Sequence, residues 1–138
     1  MYLLDTNVVS ELRKKSKMNP GVNAFIRQVT RDDSEVYLSV ITVGELRRGV
    51  ELIRYRGDEK QAGRLENWLT VLLEEYQQYV LPFGRDEAQV WGKLRVPHYQ
   101  NALDKQIAAT ALMRGLTVVT RNIKDFSGMG VKLINPFT

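Results

Sequence analysis

Apolar residues recur along the chain in two alternating rhythms, short continuous runs and helical stripes, and polar clusters punctuate almost every change between them. Tyr2 to Leu4 is the first short run, followed by the turn and cap residues Asp5, Thr6 and Asn7, which open a helix carrying Val8, Val9 and Leu12. Basic residues from Arg13 to Lys17 read as a solvated loop. Asn19 and Pro20 form a cap and first-turn pair, and Val22, Phe25, Ile26 and Val29 give the next helix one apolar stripe. After a turn at Asp32 to Ser34, Glu35 to Ile41 reads as a buried strand.

Thr42 and Glu45 have the spacing of a capping box, ahead of a helix with Val43, Leu46, Val50 and Ile53 on one face. Gly57 and Asp58 break it, and Leu65, Trp68, Leu69, Leu72, Leu73 and Tyr76 mark a longer amphipathic helix. Tyr79 to Phe83 is a third strand, and Asp86 caps a helix that ends before Pro97. Pro97 to Leu103 is a loop, Asp104 opens a helix of small apolar residues, and Gly115 ends it. Thr117 to Thr120 and Val131 to Ile134 complete the strands, separated by the polar run Arg121 to Asp125. Strands alternate with helices and no pair is joined by a tight hairpin turn, the pattern of an α/β domain with a parallel sheet covered on both faces.

Length and composition narrow this further. The chain of 138 residues is about one domain, 1–138, with no cysteine for disulfides or sulfur-ligated metals, which fits a reducing cytoplasm. No apolar run approaches the roughly 20 residues that span a bilayer, and no charged leader precedes an apolar core, so a soluble, unprocessed chain is expected. A net charge of +4 and a calculated pI near 9.4 suit a phosphate-rich or acidic partner.

Sites in open parallel sheets form beyond the carboxyl ends of the strands. Asp5, Glu45, Asp104, and Asn122 with Asp125 all follow strands or open helices and are able to share that rim. Two carboxylates about 5 Å apart repel by roughly 3 kcal/mol at an effective dielectric of 20, so three or four together need protons or a cation. Oxygen ligands without His or Cys select Mg²⁺ or Mn²⁺, an arrangement suited to phosphate-ester hydrolysis. Each acid also has a purely structural use: Asp5 as an N-cap, Glu45 within a capping box, Asp104 as a favourable charge at a helix start. His98, the single histidine, reads as a surface residue beside Pro97.

LLDTNVVSE at Leu3 to Glu11, LSVITVGELRRGV at Leu38 to Val50, LPF at Leu81 to Phe83, DKQIAATA at Asp104 to Ala111, TVVTRNIKDF at Thr117 to Phe126 and INPF at Ile134 to Phe137 together resemble the PIN-domain ribonucleases. The similarity is closer to the VapC-type toxins of bacterial toxin–antitoxin pairs, including the FitB-like branch. It implies a single α/β/α PIN domain with a five-stranded parallel sheet in the order 3-2-1-4-5, and Mg²⁺- or Mn²⁺-dependent endonucleolytic cleavage of RNA. Asp5, Glu45 and Asp104 match family acids that hold metal. Asn122 matches a fourth position that is acidic in many relatives, with Asp125 the candidate substitute. Thr6, Asn7 and Thr120 match supporting positions, and Arg121 and Lys124 are candidates for substrate binding. The resemblance further implies a homodimer and a VapB-like antitoxin that blocks the acidic site, with operator DNA reached only through that antitoxin. Leu65, Trp68, Leu69, Leu72 and Tyr76 are its candidate interface residues.

A second class of function is a catalytically weak PIN domain acting as an RNA- or antitoxin-binding module, motivated by Asn122. A haloacid-dehalogenase-like phosphatase needs an Asp where Asn7 stands, and a response-regulator receiver needs one where Pro82 and Phe83 stand.

Overall fold

A computed structural model describes all residues, 1–138. Its elements are β1 (Tyr2–Leu4), α1 (Thr6–Leu12), α2 (Pro20–Arg31), β2 (Val36–Ser39), α3 (Val40–Tyr55), α4 (Glu59–Glu75), β3 (Val80–Leu81), α5 (Arg85–Leu94), α6 (Ala102–Arg114), β4 (Thr117–Val119), α7 (Ile123–Phe126) and β5 (Leu133–Ile134), with a 3₁₀ turn at Lys15–Lys17. The five strands are parallel throughout and ordered β3-β2-β1-β4-β5. β1 is therefore central, and its carboxyl end at Leu4 opens onto Asp5 in the middle of the rim.

Successive strand residues point to opposite faces, which is how two short apolar runs supply two cores. Leu4 and Val119 pack with Val8, Val22, Leu38, Leu46 and Leu69 on one face. Leu3 and Val118 pack with Ile107, Ala108, Ala111 and Phe126 on the other. The middle of α6, Ile107 to Ala111, is fully buried, because its alanines let it press close against the sheet, while Leu103 and the last turn from Leu112 are exposed.

Several expected boundaries move. The run Glu35 to Ile41 is a strand only as far as Ser39, whose hydroxyl accepts the Ile41 N–H at 3.0 Å and caps α3. Val40 and Ile41 are β-branched and extend the apolar pattern, but they lie in the helix. Thr42 is consequently inside the first turn and fully buried, not an N-cap, and Thr42 and Glu45 form no capping box.

The edge strands β3 and β5 hold two residues each, shorter than Tyr79 to Phe83 and Val131 to Ile134, because each has a ladder on one side only. Gly84, not Asp86, is the N-cap of α5, and Asp86 sits in its first turn. α6 starts at Ala102 after Asn101 in a left-handed conformation (φ 57°), so Leu103 belongs to the helix and Asp104 lies in its first turn. Gly115 ends α6 at φ 66°, as its position predicts.

The carboxyl terminus is tied to α2. Thr138 N–H donates to Asn19 Oδ1 at 3.1 Å, and a Cβ at Gly21 would overlap the Pro136 carbonyl oxygen.

Candidate active site

Asp5 is both a helix cap and a buried acid. Its N–H continues the sheet to the Val119 carbonyl at 2.9 Å, which fixes the backbone, and its side chain is 3% exposed. Oδ1 accepts the Thr6 N–H at 2.8 Å, and Oδ2 accepts the Thr120 hydroxyl at 2.7 Å and Asn7 Nδ2 at 3.1 Å. The structural and functional uses of the residue are thus not exclusive. Burial pushes the Asp5 carboxyl above its usual range, the Thr120, Thr6 and Asn7 donors pull against that, and the Asp125 charge adds to it.

Thr120 and Asn7 form a bracket around this acid. The Thr120 hydroxyl also accepts the Asn122 N–H at 2.9 Å, and Asn7 Oδ1 accepts the Arg121 N–H at 3.1 Å. The loop after β4 is thereby pinned to the start of α1.

Glu45 reaches the same rim from the second turn of α3. Its Oε1 accepts the Thr6 hydroxyl at 2.7 Å, and Thr6 Oγ1 lies 3.2 Å from the buried Thr42 hydroxyl. Thr42 is therefore a member of the polar network, a role that its capping-box spacing in the sequence conceals.

Asp104 carries the clearest electrostatic signature. Its carboxyl is pushed up from 3.8 to about 6, first by burial and then by the charges of Asp5, Asp125 and Glu45. Four acids are therefore within electrostatic reach, and none makes an ion pair with Lys or Arg. The basic side chains that do pair are Lys14 with Glu11, Arg47 and Arg54 with glutamates of α3 and α4, and Arg85 with Asp86.

The fourth position divides between two residues. Asn122 N-caps α7 without a side-chain bond and is exposed. Asp125, one turn on and half-buried, is the one whose charge acts on both Asp5 and Asp104.

By donor chemistry and by uncompensated charge this set fits a hard divalent cation. As the side chains stand, no three of them converge closely enough to ligate one ion, since Thr6 holds Glu45 and three donors hold Asp5.

Among the basic candidates, the Arg121 guanidinium stacks on Phe137 at 4.1 Å, and Lys124 is exposed beside a cavity next to Asp125. Sequence reasoning passes over Lys105, which is 6% exposed and lines that same cavity. Its only signal is a Lys placed among small apolar residues. Of the proposed interface stripe, Leu69 and Leu72 are spent in the core, leaving Leu65, Trp68 and Tyr76 half-buried.

A PIN domain family profile matches residues 2–131. The chain is 38% identical to Toxin FitB of Neisseria gonorrhoeae over 144 aligned positions covering 99% of both chains. It is 34% identical to VapC ribonuclease Y4jK of Sinorhizobium fredii, covering 99% of this chain and 98% of that one. The FitAcB crystal structure from Neisseria gonorrhoeae superimposes with a TM-score of 0.84 at 35% identity, covering 99% of this chain and 98% of its own.

Proposed function

The chain belongs to the PIN-domain family, and from that premise we propose that it is a divalent-metal-dependent endoribonuclease, the toxin of a toxin–antitoxin pair. The observation that carries the reading is the set of four acids with no cationic partner, one of them pushed up to about 6. The ribonuclease name of one relative and the toxin name of another support it.

Asp5, Asp104 and Glu45 would hold Mg²⁺ or Mn²⁺, with Asp125 rather than Asn122 as the fourth acid. A bound ion supplies a more acidic water at neutral pH and offsets charge on the phosphoryl oxygens. The chain's own work is to keep the acids ready. Thr120, Thr6 and Asn7 hold both oxygens of Asp5 while it is ionised. Thr6 holds Glu45 at the rim through its hydroxyl. Asn122 serves through its backbone, which anchors the loop to Thr120. Arg121 and Lys124 would bind flanking phosphates, with Phe137 keeping the Arg121 guanidinium in place.

An antitoxin partner is supported by a groove between α1, α3 and α4 whose walls run from Trp68 and Leu65 through Ile53 to Glu45 and Thr6. An apolar segment laid there would end against the acids. A homodimer and a cytoplasmic location are part of the same proposal, and no helix is long and apolar enough to cross a membrane.

The present separation of the carboxylates favours one competing reading, a binding module with little catalysis. Incubating the protein with transfer, ribosomal and messenger RNAs in Mg²⁺, Mn²⁺ or EDTA separates the two. The nuclease reading expects cleavage that needs metal and disappears in Asp5→Asn; RNA left intact by wild type in every metal would discard it.

A further inference from the structure

Lys105 is the one lysine buried in the fold, and the acid site leaves its placement unexplained. An ammonium removed from water is costly unless a counter-charge and hydrogen bonds replace the solvent. Lys105 has neither in full. No carboxylate lies within ion-pairing distance, and its Nζ makes one hydrogen bond, to the carbonyl oxygen of His98. A lysine has three N–H donors, so this head group is under-used by its own chain.

The side chain lines a cavity of about 510 Å³ between the loop leaving α5, the first turn of α6 and the residues after α7. That volume lies in the range of small-molecule sites. Gln100, Asn101 and Ser127 line it with hydrogen-bonding groups, and Lys124 adds a second positive charge at its edge. Asp125 is in its wall, Asp104 immediately precedes Lys105 in the chain, and the Asp125 charge acts on both Asp5 and Asp104, so the cavity borders the acid cluster. A cationic, amide-lined chamber abutting an anionic rim is complementary to a nucleotide whose neighbouring phosphate lies over the acids. A protein side chain would leave the buried ammonium unmatched unless it happened to be acidic.

We propose that this cavity is a subsite for the nucleotide adjacent to the cleaved phosphodiester of single-stranded RNA. Lys105 receives its backbone phosphate, and Gln100, Asn101 and Ser127 offer hydrogen bonds to its base. The inference rests on the nuclease reading for which phosphate is cleaved, but the binding it describes is measurable without cleavage.

The test uses the full chain carrying Asp5→Asn, so that RNA stays intact, in EDTA with a fluorescent hexanucleotide RNA of mixed sequence. Affinity is followed by anisotropy across a salt series for this protein and for versions with Lys105→Met or Lys105→Arg added. Loss of one phosphate contact lowers the slope of log affinity against log salt by about 0.7 for a single strand. Lys105→Met is expected to show that drop with a roughly tenfold weaker complex at low salt, and Lys105→Arg to keep most of both.

Amide NMR shifts on the Asp5→Asn protein, titrated with the same RNA, should fall on Gln100, Asn101 and Ser127 to Met129, which keeps the idea testable if Lys105→Met does not fold. An unchanged salt slope in folded Lys105→Met, or shifts that avoid this loop pair, overturns the subsite. Intact RNA in the wild-type cleavage assay, together with a lowered slope here, would instead reject the nuclease and keep the subsite.

Discussion

Replacing Asp104 by Asn should make the protein more stable at neutral pH while removing a residue of the proposed site. The folded carboxyl titrates at about 6 instead of 3.8, because burial and the charges of Asp5, Asp125 and Glu45 disfavour its ionised form. A raised value means the folded state binds the proton more tightly than the unfolded state does. The stabilisation from this group is therefore complete below about pH 4 and lost as pH rises through 6. The gap between 3.8 and about 6 corresponds to about 3 kcal/mol at full strength.

Asp104 is only half-buried, so solvent screening reduces this to about 1–2 kcal/mol. Loss of a favourable charge in the first turn of α6 takes back about 0.5 kcal/mol. Asp104→Asn should therefore gain about 1 kcal/mol at pH 7.5 in EDTA, measured by urea unfolding, and little at pH 3.5, where the wild-type carboxyl is mostly protonated in both states. Added Mg²⁺ should reverse the order by stabilising wild type alone. A variant destabilised at pH 7.5, or shifted equally at both pH values, would refute the picture of a repelling acid cluster.

Thr120→Val keeps the shape of a fully buried residue but removes the hydroxyl that Asp5 Oδ2 accepts at 2.7 Å. It should cost about 1–2 kcal/mol of stability in thermal melts, and, because Asp5 then titrates higher, move the acid limb of the cleavage–pH profile upward. Asp125→Asn relieves a charge felt by both Asp5 and Asp104, so that limb should move down and metal-dependent cleavage should fall at least tenfold; Asn122→Asp, at an exposed cap, should change cleavage much less. Gly21→Ala sets a methyl against the Pro136 carbonyl and should lower stability by about 1–3 kcal/mol by loosening the carboxyl-terminal tether, readable as a drop in melting temperature.

The sheet was readable because its evidence lies in the sequence pattern itself. Leu3 and Leu4, then Val118 and Val119, are short unbroken apolar runs, and each serves both faces of one parallel sheet. Asp5, Glu45 and Asp104 were legible as a group because each lies within two turns of a strand end or a helix start, which places them toward one rim without side-chain knowledge. What stayed hidden depends on tertiary context. Val40 and Ile41 suit a strand or a helix, and only the Ser39 hydroxyl decides where α3 starts. The edge strands shorten because they lack a second neighbour, which no local residue announces.

The choice between Asn122 and Asp125 turns on how α7 sits against the rim, since residues three apart on a helix share a face only once the start of the turn is fixed. Lys105 was missed because helical patterning reports apolar stripes and not the one charged residue buried within them.

The most direct test of the central claim is Mn²⁺ binding followed by electron paramagnetic resonance, with wild type, Asp5→Asn and Asp125→Asn in turn. The four-acid account predicts that wild type removes the free-ion signal with near-stoichiometric uptake, that Asp5→Asn abolishes uptake and that Asp125→Asn weakens it. An unchanged free-ion signal with wild type at millimolar Mn²⁺ would contradict it, and the uncompensated carboxylates would then need a different occupant.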